Sequence, residues 1–254
     1  MLLDRAEPLN HRLSSQADRC AAELIKRIEK GVLRPNHRLG EESIAREIGI
    51  GRAPVRVAFE RLVSAGVLKR LHRAGTFVRK ISLKEQCEIM DVRMILEGFA
   101  VRLACKRASP FQLSQLRKLA GKIDALEDRL LTARIDDPLR WGEVQRLERD
   151  FHNQIARLSG NQTIARILAA QSLVECCVQM GITNPLGSPP DSKNIPRHRD
   201  IVRSLASRKP DAAEKTIRKH ILLSKEDGIA AVLNGRRFHL KESQPLNGKG
   251  RGDR

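Results

Sequence analysis

The chain has no tyrosine, one tryptophan and six phenylalanines, so aromatic residues make up only 3% of its 254 residues. Proteins that bind single-stranded nucleic acid stack the bases on aromatic side chains. The scarcity of these side chains therefore argues against a protein specialised for single-stranded RNA or DNA.

Long apolar runs and paired cysteines are also missing. No stretch of about 18 apolar residues is present to span a bilayer, and the N-terminal segment MLLDRAEPLNHRLSS has no apolar core of signal-peptide length. The five cysteines show neither the C-x-x-C spacing of a zinc ribbon nor the density of a disulfide scaffold. We therefore expect a cytoplasmic protein with reduced, buried thiols.

Positive charge is abundant instead, since 48 Lys and Arg residues against 30 Asp and Glu residues give a formal net charge of +18. Such a charge attracts acidic partners, either nucleic acid or an anionic membrane surface. The 41% apolar content indicates a folded protein, and 254 residues are enough for two domains of ordinary size.

Residues 1–81 show the pattern of a winged helix-turn-helix. Apolar periodicity predicts a first helix over residues 14–31, a second in EESIAREIGI and a third from about residue 53 to residue 64. Gly49 and Gly51 lie between the second and third helices, as in the tight turn of a helix-turn-helix. The runs VLKRL and TFVRK, separated by HRAG, predict a small β-hairpin, the wing.

Two arginines, Arg52 and Arg56, lie one turn apart at the start of the third helix, opposite the apolar residues Val55, Phe59 and Leu62. The second helix of a helix-turn-helix enters the major groove, where an arginine near its N-terminus binds guanine or clamps a phosphate. An ordinary basic surface helix has the same spacing, so the spacing alone leaves both interpretations open.

The segment GVLRPNHRLGEESIAREIGIGRAPVRVAFERLVSAGVLKRLHRAGTFV resembles the winged helix-turn-helix of the GntR family of bacterial transcriptional regulators. It matches most of the family pattern, which runs from an "L-x-E-x-x-L-A" helix through "SRTPVREAL" to the wing, although the second part reads GRAPVRVAF here. The resemblance implies that Arg52 and Arg56 are the main DNA contacts. It also implies that His72 and Gly75 lie at the wing, where family members approach the minor groove.

Residues 82–234 have only helical periods, and their breaks predict about six helices in an all-α bundle. The whole chain is therefore predicted to be mostly α, with a winged helix-turn-helix followed by a helical ligand-binding domain. Residues 235–254 are basic and poor in apolar residues, and we expect a disordered tail.

Three histidines of this second region, His152, His198 and His220, fall on the apolar faces of predicted helices, and Glu148 lies one turn before His152. An unpaired carboxylate on a buried face is costly. A bound cation would offset this cost, and zinc, nickel, manganese or iron(II) accepts three imidazoles and one carboxylate. Each histidine alone is better explained as a core residue, but the four groups together favour a shared site.

The segments ERDFHNQIARLSGN and RHRDIVRSLASRKPDAAEKTIRKH resemble parts of the FCD ligand-binding domain of the FadR subfamily, whose metal-binding members use an Asp-x-x-x-His pair and two later histidines. The resemblance implies a divalent metal and a small carboxylate effector. It assigns the metal ligands to Glu148, His152, His198 and His220. Glu148 replaces the usual aspartate and is one methylene longer.

The segment DVRMILEGFAVRLA resembles the first helix of that domain, in which an arginine helps to hold the effector carboxylate. Arg93 is the matching residue. The alternative is that Arg93 pairs with Glu97, one turn later, because such pairs stabilise an exposed helix face.

These observations predict a metabolite-responsive transcriptional regulator that binds a pseudo-palindromic operator as a homodimer. One alternative is a metal-dependent hydrolytic enzyme, because a site of three histidines and an acid with an open position can activate water. Another is a nonspecific nucleic-acid-binding protein, which the charge favours. The helices that carry the ligands show no obvious second acid or base in the sequence, and an enzyme has no use for the winged module, so we expect no enzyme.

Overall fold

The computed structural model describes residues 9–133, 138–175 and 195–233. Within these ranges the chain is mostly helical, with one small antiparallel sheet in its N-terminal part. The predicted fold class, a winged helix-turn-helix followed by a helical bundle, is confirmed. The tail predicted over residues 235–254 lies outside the described residues, as do Cys176 and Cys177.

The N-terminal part contains three helices and three strands. They are α1 (Leu9–Glu29), β1 (Arg38–Leu39), α2 (Glu41–Ile48), α3 (Arg52–Ser64), β2 (Leu68–Leu71) and β3 (Gly75–Val78). The sheet order is β1-β3-β2, with Leu71 opposite Gly75 at the tip of the β2–β3 hairpin. The hairpin agrees with the predicted wing, whereas β1 has only two residues, too few to show a period in the sequence.

The turn between α2 and α3 depends on Gly49, whose φ of 72° is rarely adopted by residues with a side chain. Pro54 lies in the first turn of α3, where its missing N–H leaves no intrahelical hydrogen bond unmade. Val55 and Phe59 are fully buried and pack with α1 and the sheet in one core. This packing fixes which face of α3 points to solvent.

Six helices follow in the described residues: α4 (Leu83–Arg107), α5 (Pro110–Thr132), α6 (Pro138–Leu158), α7 (Gln162–Glu175), α8 (His198–Ala206) and α9 (Pro210–Leu233). Local signals set their starts. The Ser82 side chain accepts a hydrogen bond from the Glu85 amide before α4, and Ser109 forms a capping box with Gln112 before α5.

The helical domain packs around its own hydrophobic core. Phe151 and Ile155 of α6, Ile123 of α5, Ile201 of α8 and Ile217 of α9 are fully buried within it. Burying each of these side chains stabilises the fold by about 1.5–3 kcal/mol. The core therefore fixes how α5, α6, α8 and α9 face one another, which is what brings distant histidines together.

The two parts of the chain also contact each other. Arg149 of α6 is buried and forms an ion pair with Glu29 at the end of α1. Val174 of α7 packs against the N-terminal core beside Gly66. No helix in the described ranges combines the length and the apolarity needed to cross a membrane.

Candidate DNA interface and candidate metal centre

The start of α3 presents the two predicted DNA-contacting arginines to solvent. Arg52 is the first residue of the helix and Arg56 lies one turn later, and both side chains are exposed. The Nε atom of Arg56 lies 3.4 Å from Oε2 of Glu41 on α2, a contact that the sequence analysis missed. This exposed ion pair is weak, so it leaves Arg56 available to another anion.

The wing residues differ in what they offer. His72 is exposed in the turn between β2 and β3. Gly75 begins β3 with a φ of 111°, and a Cβ atom there would lie 3.1 Å from Nε of Arg38. Gly75 therefore serves the conformation of the wing and can offer DNA only its backbone.

The three predicted histidine ligands meet inside the helical domain. His152 of α6, His198 of α8 and His220 of α9 are each at most 6% exposed. One ring nitrogen from each can be chosen so that all three lie within 4.8 Å of one another. The rings of His198 and His220 are the closest pair, with centroids 4.9 Å apart.

Each histidine uses its Nδ1 atom to contact an oxygen that can only accept a hydrogen bond. Nδ1 of His152 donates to Oε2 of Glu97 at 2.5 Å and Nδ1 of His198 donates to Oδ1 of Asp124 at 3.2 Å. Nδ1 of His220 donates to the Pro196 carbonyl at 2.8 Å. A neutral imidazole with its proton on Nδ1 has a lone pair on Nε2, so all three rings are prepared to present Nε2 as a ligand.

The Nε2 atom of His198 stands out among the polar atoms of the centre. It is buried and has no hydrogen-bond partner among the residues that the structure describes. Oε1 of Glu148 lies 3.8 Å away, which is too far for a hydrogen bond. A buried polar atom without a partner needs an explanation, and an ion bound between His198 and Glu148 is one.

Charges around the centre shift several pKa values. Burial, together with the neighbouring His198 and His152, lowers the pKa of His220 well below its ordinary value, so this ring is neutral at pH 7. Burial alone would raise the pKa of Glu97, but His152 and Arg93 hold it at about 2. Glu97 is therefore ionised at neutral pH and accepts the Nδ1 proton of His152 as an anion.

Two further acids lie on α5. Burial and the negative charge of Glu148 raise the pKa of Glu127 to about 7. Burial opposes ionisation of Asp124 as well, but its hydrogen bonds to His198 and Arg199 keep its pKa far below the usual range. Ligand atoms of Asp124, Glu127 and His198 also lie within 4.8 Å of one another.

Arg93, the predicted effector-binding residue, is joined to the same centre. Its Nε atom donates to Oε1 of Glu97 at 2.8 Å, so the alternative pairing between these residues is present. The pair does not lie on the exposed helix face that the sequence suggested, because the side chain of Arg93 is 12% exposed and that of Glu97 is 1% exposed. Glu97 thus connects Arg93 to His152, because its carboxylate accepts a hydrogen bond from each.

Sequence reasoning named Glu97 only as a partner of Arg93 and missed its contact with His152, and it missed Asp124 and Glu127. A signal for Glu97 and Asp124 is visible in hindsight. Asp124 occupies the same helical face as the fully buried Leu116 and Ala120. Glu97 likewise lies on the inward face of α4. A charged residue at a core position is rare unless it is paired, so each position predicts a buried partner of opposite charge.

Comparisons with known proteins agree with both parts of the structure. Residues 16–78 match the model of the gntR family of bacterial regulatory proteins, and residues 88–223 match the model of the FCD domain. The chain belongs to the GntR family and carries an FCD domain. It is a DNA-binding transcriptional regulator and not an enzyme.

Three relatives illustrate the similarity. The chain is 27% identical to the uncharacterised regulator YdhC of Bacillus subtilis over 78% of its own length and 84% of the relative. It is 26% identical to a probable D-xylose utilisation operon repressor of Paenarthrobacter nicotinovorans, over 78% of its own length and 82% of the relative. It is 30% identical to the Nta operon regulator of Aminobacter aminovorans, but over only 55% and 61%.

Solved structures share the fold at lower identity. A GntR regulator from Rhodococcus superposes with a TM-score of 0.68 and 21% identity, over 85% of this chain and 99% of that one. McbR/YncC of Escherichia coli gives a TM-score of 0.61 and 20% identity, over 87% and 98%.

Proposed function

We propose that this protein is a metabolite-responsive regulator of the FadR subfamily, which binds a pseudo-palindromic operator as a homodimer and holds a divalent metal ion in its helical domain. The observation that carries the proposal is the arrangement of the three histidines. Each Nδ1 is occupied by an acceptor, and each Nε2 is left with a lone pair. This arrangement is typical of metal-binding histidines.

The donor set fits such an ion. His152, His198, His220 and Glu148 supply three nitrogens and one carboxylate oxygen, the set accepted by zinc, nickel, manganese or iron(II). The unpartnered Nε2 of His198 gains a partner when a cation binds. A bound ion of this kind would act as a Lewis acid, and the carboxylate of a small molecule could coordinate it as a further ligand.

We propose that a small carboxylate is the effector, with Arg93 as the residue that recognises it from the α4 side. The supporting observation is that Arg93 and His152 share Glu97. A carboxylate attracted to Arg93 would compete with Glu97 for the guanidinium. Because Glu97 also accepts a hydrogen bond from His152, this competition would alter a contact of a proposed metal ligand.

For DNA binding we propose that Arg52 and Arg56 contact the major groove, with His72 and the backbone of Gly75 approaching the minor groove. The winged domain is taken as residues 1–81 and the effector domain as residues 82–234, since one family match ends at 78 and the next begins at 88. We propose a cytoplasmic location, because a bacterial regulator acts on promoter DNA there.

A homodimer supplies the two winged domains that a pseudo-palindromic operator requires. Three apolar residues of α4, Val92, Ile95 and Phe99, are spaced at three and four residues and are 41%, 57% and 49% exposed. Residues at this spacing share one face of a helix. We propose that this face packs against α4 of a second copy.

The experiment that tests the proposal is a thermal-unfolding screen of the full chain, stripped of metal and then given one divalent ion at a time, with and without small carboxylic acids. A ligand that binds only the folded state raises the Tm. We expect one ion to raise it and one acid class to raise it further, and the same pair to change a DNase footprint of two half-sites. If no ion changes the Tm, the metal site is wrong, whereas a footprint of two half-sites still supports the DNA-binding half.

A further inference from the structure

Asp124 lies at an unusual position for a charged residue. Its side chain is 0% exposed, in the middle of α5 and against the core of the helical domain. Its carboxylate accepts hydrogen bonds from Nδ1 of His198 at 3.2 Å and from Nε of Arg199 at 2.6 Å. An ionised carboxylate is tolerated in a core only when such partners satisfy its oxygens.

The segment before α8 is fastened to the same turn of α5. Arg197 donates from one terminal nitrogen to the Asp124 backbone carbonyl and from the other to Asp128, both at 2.8 Å. The residue just before it is Pro196, whose carbonyl accepts the Nδ1 proton of His220. Two of the three histidines therefore take their orientation from contacts with one part of α5.

We propose that Asp124 is the positioning residue of the histidine centre. It fixes the proton of His198 on Nδ1, which leaves Nε2 as the ligand nitrogen, and it anchors the segment whose Pro196 carbonyl does the same for His220. The expected change in metal affinity rests on the proposed metal site. The position of the His198 proton can be measured without metal.

Replacing Asp124 by asparagine tests this role because the shape is kept while one oxygen becomes an amide nitrogen. The guanidinium of Arg199 has no acceptor, so it holds the remaining oxygen and turns the new NH2 group toward His198. Nδ1 of His198 can accept from that group only if the ring proton moves to Nε2. The proton then occupies the nitrogen that the metal needs.

The matched control is Asp128→Asn. Asp128 lies one turn further along α5, its side chain is 51% exposed, and its ion pairs within the described residues are with Arg197 and Arg199 and not with a histidine. If the carboxylate acts only by fastening α8 to α5, the two variants change the centre alike. If it acts on His198, only Asp124→Asn does.

The first measurement is the zinc Kd of the full chain, obtained by competition with a chelator. We expect Asp124→Asn to weaken zinc binding by about 10–100-fold, the usual effect of losing an outer carboxylate, and Asp128→Asn to change it by less than about threefold. Equal affinities for Asp124→Asn and the wild type, or an equal loss in both variants, would overturn the proposal.

The second measurement is the histidine tautomer in the metal-free protein, read from long-range ¹⁵N–¹H NMR correlations at a pH above the titration of His198. The wild type and Asp128→Asn should show His198 with its proton on Nδ1, and Asp124→Asn with its proton on Nε2. A proton that stays on Nδ1 in Asp124→Asn overturns the inference. If the wild type fails to bind zinc and the tautomer still moves, the metal function is wrong while the positioning role stands.

Should Asp124→Asn fail to fold, Arg199→Gln provides the same test from the other side of the carboxylate. The Arg199 side chain is 53% exposed, so its loss leaves no cavity, yet it removes a partner that holds Asp124 in place. We expect a smaller loss of zinc affinity, about three- to tenfold, by the same outer-contact argument. An unchanged zinc Kd would count against the proposal.

Discussion

The winged domain and the helical domain place their functional side chains in opposite ways. Arg52 and Arg56 are exposed, and the fold contributes mainly the orientation of α3. His152, His198 and His220 are buried, and each depends on an acceptor from another part of the chain. A surface site thus needs only a correctly packed helix, whereas a buried polar site needs a second layer of residues.

The largest expected effect is the loss of a buried ligand. His152→Ala and His220→Ala should each weaken metal binding by more than about 100-fold, beyond the range for outer contacts. His37→Ala is the control, because His37 is exposed in the winged domain. Metal content after dialysis, measured by elemental analysis, checks this prediction, and full occupancy in both variants would remove the shared site.

The next effect concerns the surface arginines. Arg52→Ala and Arg56→Ala should each weaken operator binding by about 5–150-fold, corresponding to about 1–3 kcal/mol for an arginine on a base edge. Because both side chains are exposed, the Tm should stay unchanged. Gel-shift titrations on operator and scrambled DNA measure the difference.

Arg203→Ala makes a suitable comparison for the arginine variants, since it removes one positive charge from an exposed side chain of the other domain. A drop in operator affinity as large for Arg203→Ala as for Arg52→Ala would mean that net charge, and not the recognition helix, controls binding.

The smallest effect is on the stability of the metal-free protein. The folded-state pKa of Glu127, about 7, is above its ordinary value of 4.5. Its contribution to stability is therefore complete below pH 4.5 and is lost as the pH rises through 7. Glutamine cannot ionise, so Glu127→Gln should be more stable than the wild type above pH 7, and the difference should grow between pH 4.5 and pH 7.

Urea unfolding of both proteins across this pH range, with a chelator present, measures the difference. The two curves should converge near pH 4.5, where Glu127 is protonated in the fold. A difference that is independent of pH would mean that the carboxylate charge does not oppose folding.

The sequence predicted the winged domain well because its signals are local. The glycine turn before α3, the buried face with Val55 and Phe59, and the hairpin each lie within a few residues. The convergence of the histidines was also predictable, since each lies on an apolar helical face. Asp124 was missed because its partner His198 is 74 residues away, and no local pattern shows which residue of α5 a helix so far along the chain will meet.

The ion pair between Glu29 and Arg149 has a consequence for protein engineering. Arg149 lies between Glu148 and His152 on α6, so one helix contributes both to the histidine centre and to the contact with α1. A chimera that takes its winged half from another family member keeps this ion pair with Arg149 only if the donor supplies an acid at the end of its first helix. The two halves are therefore not freely interchangeable parts for a biosensor.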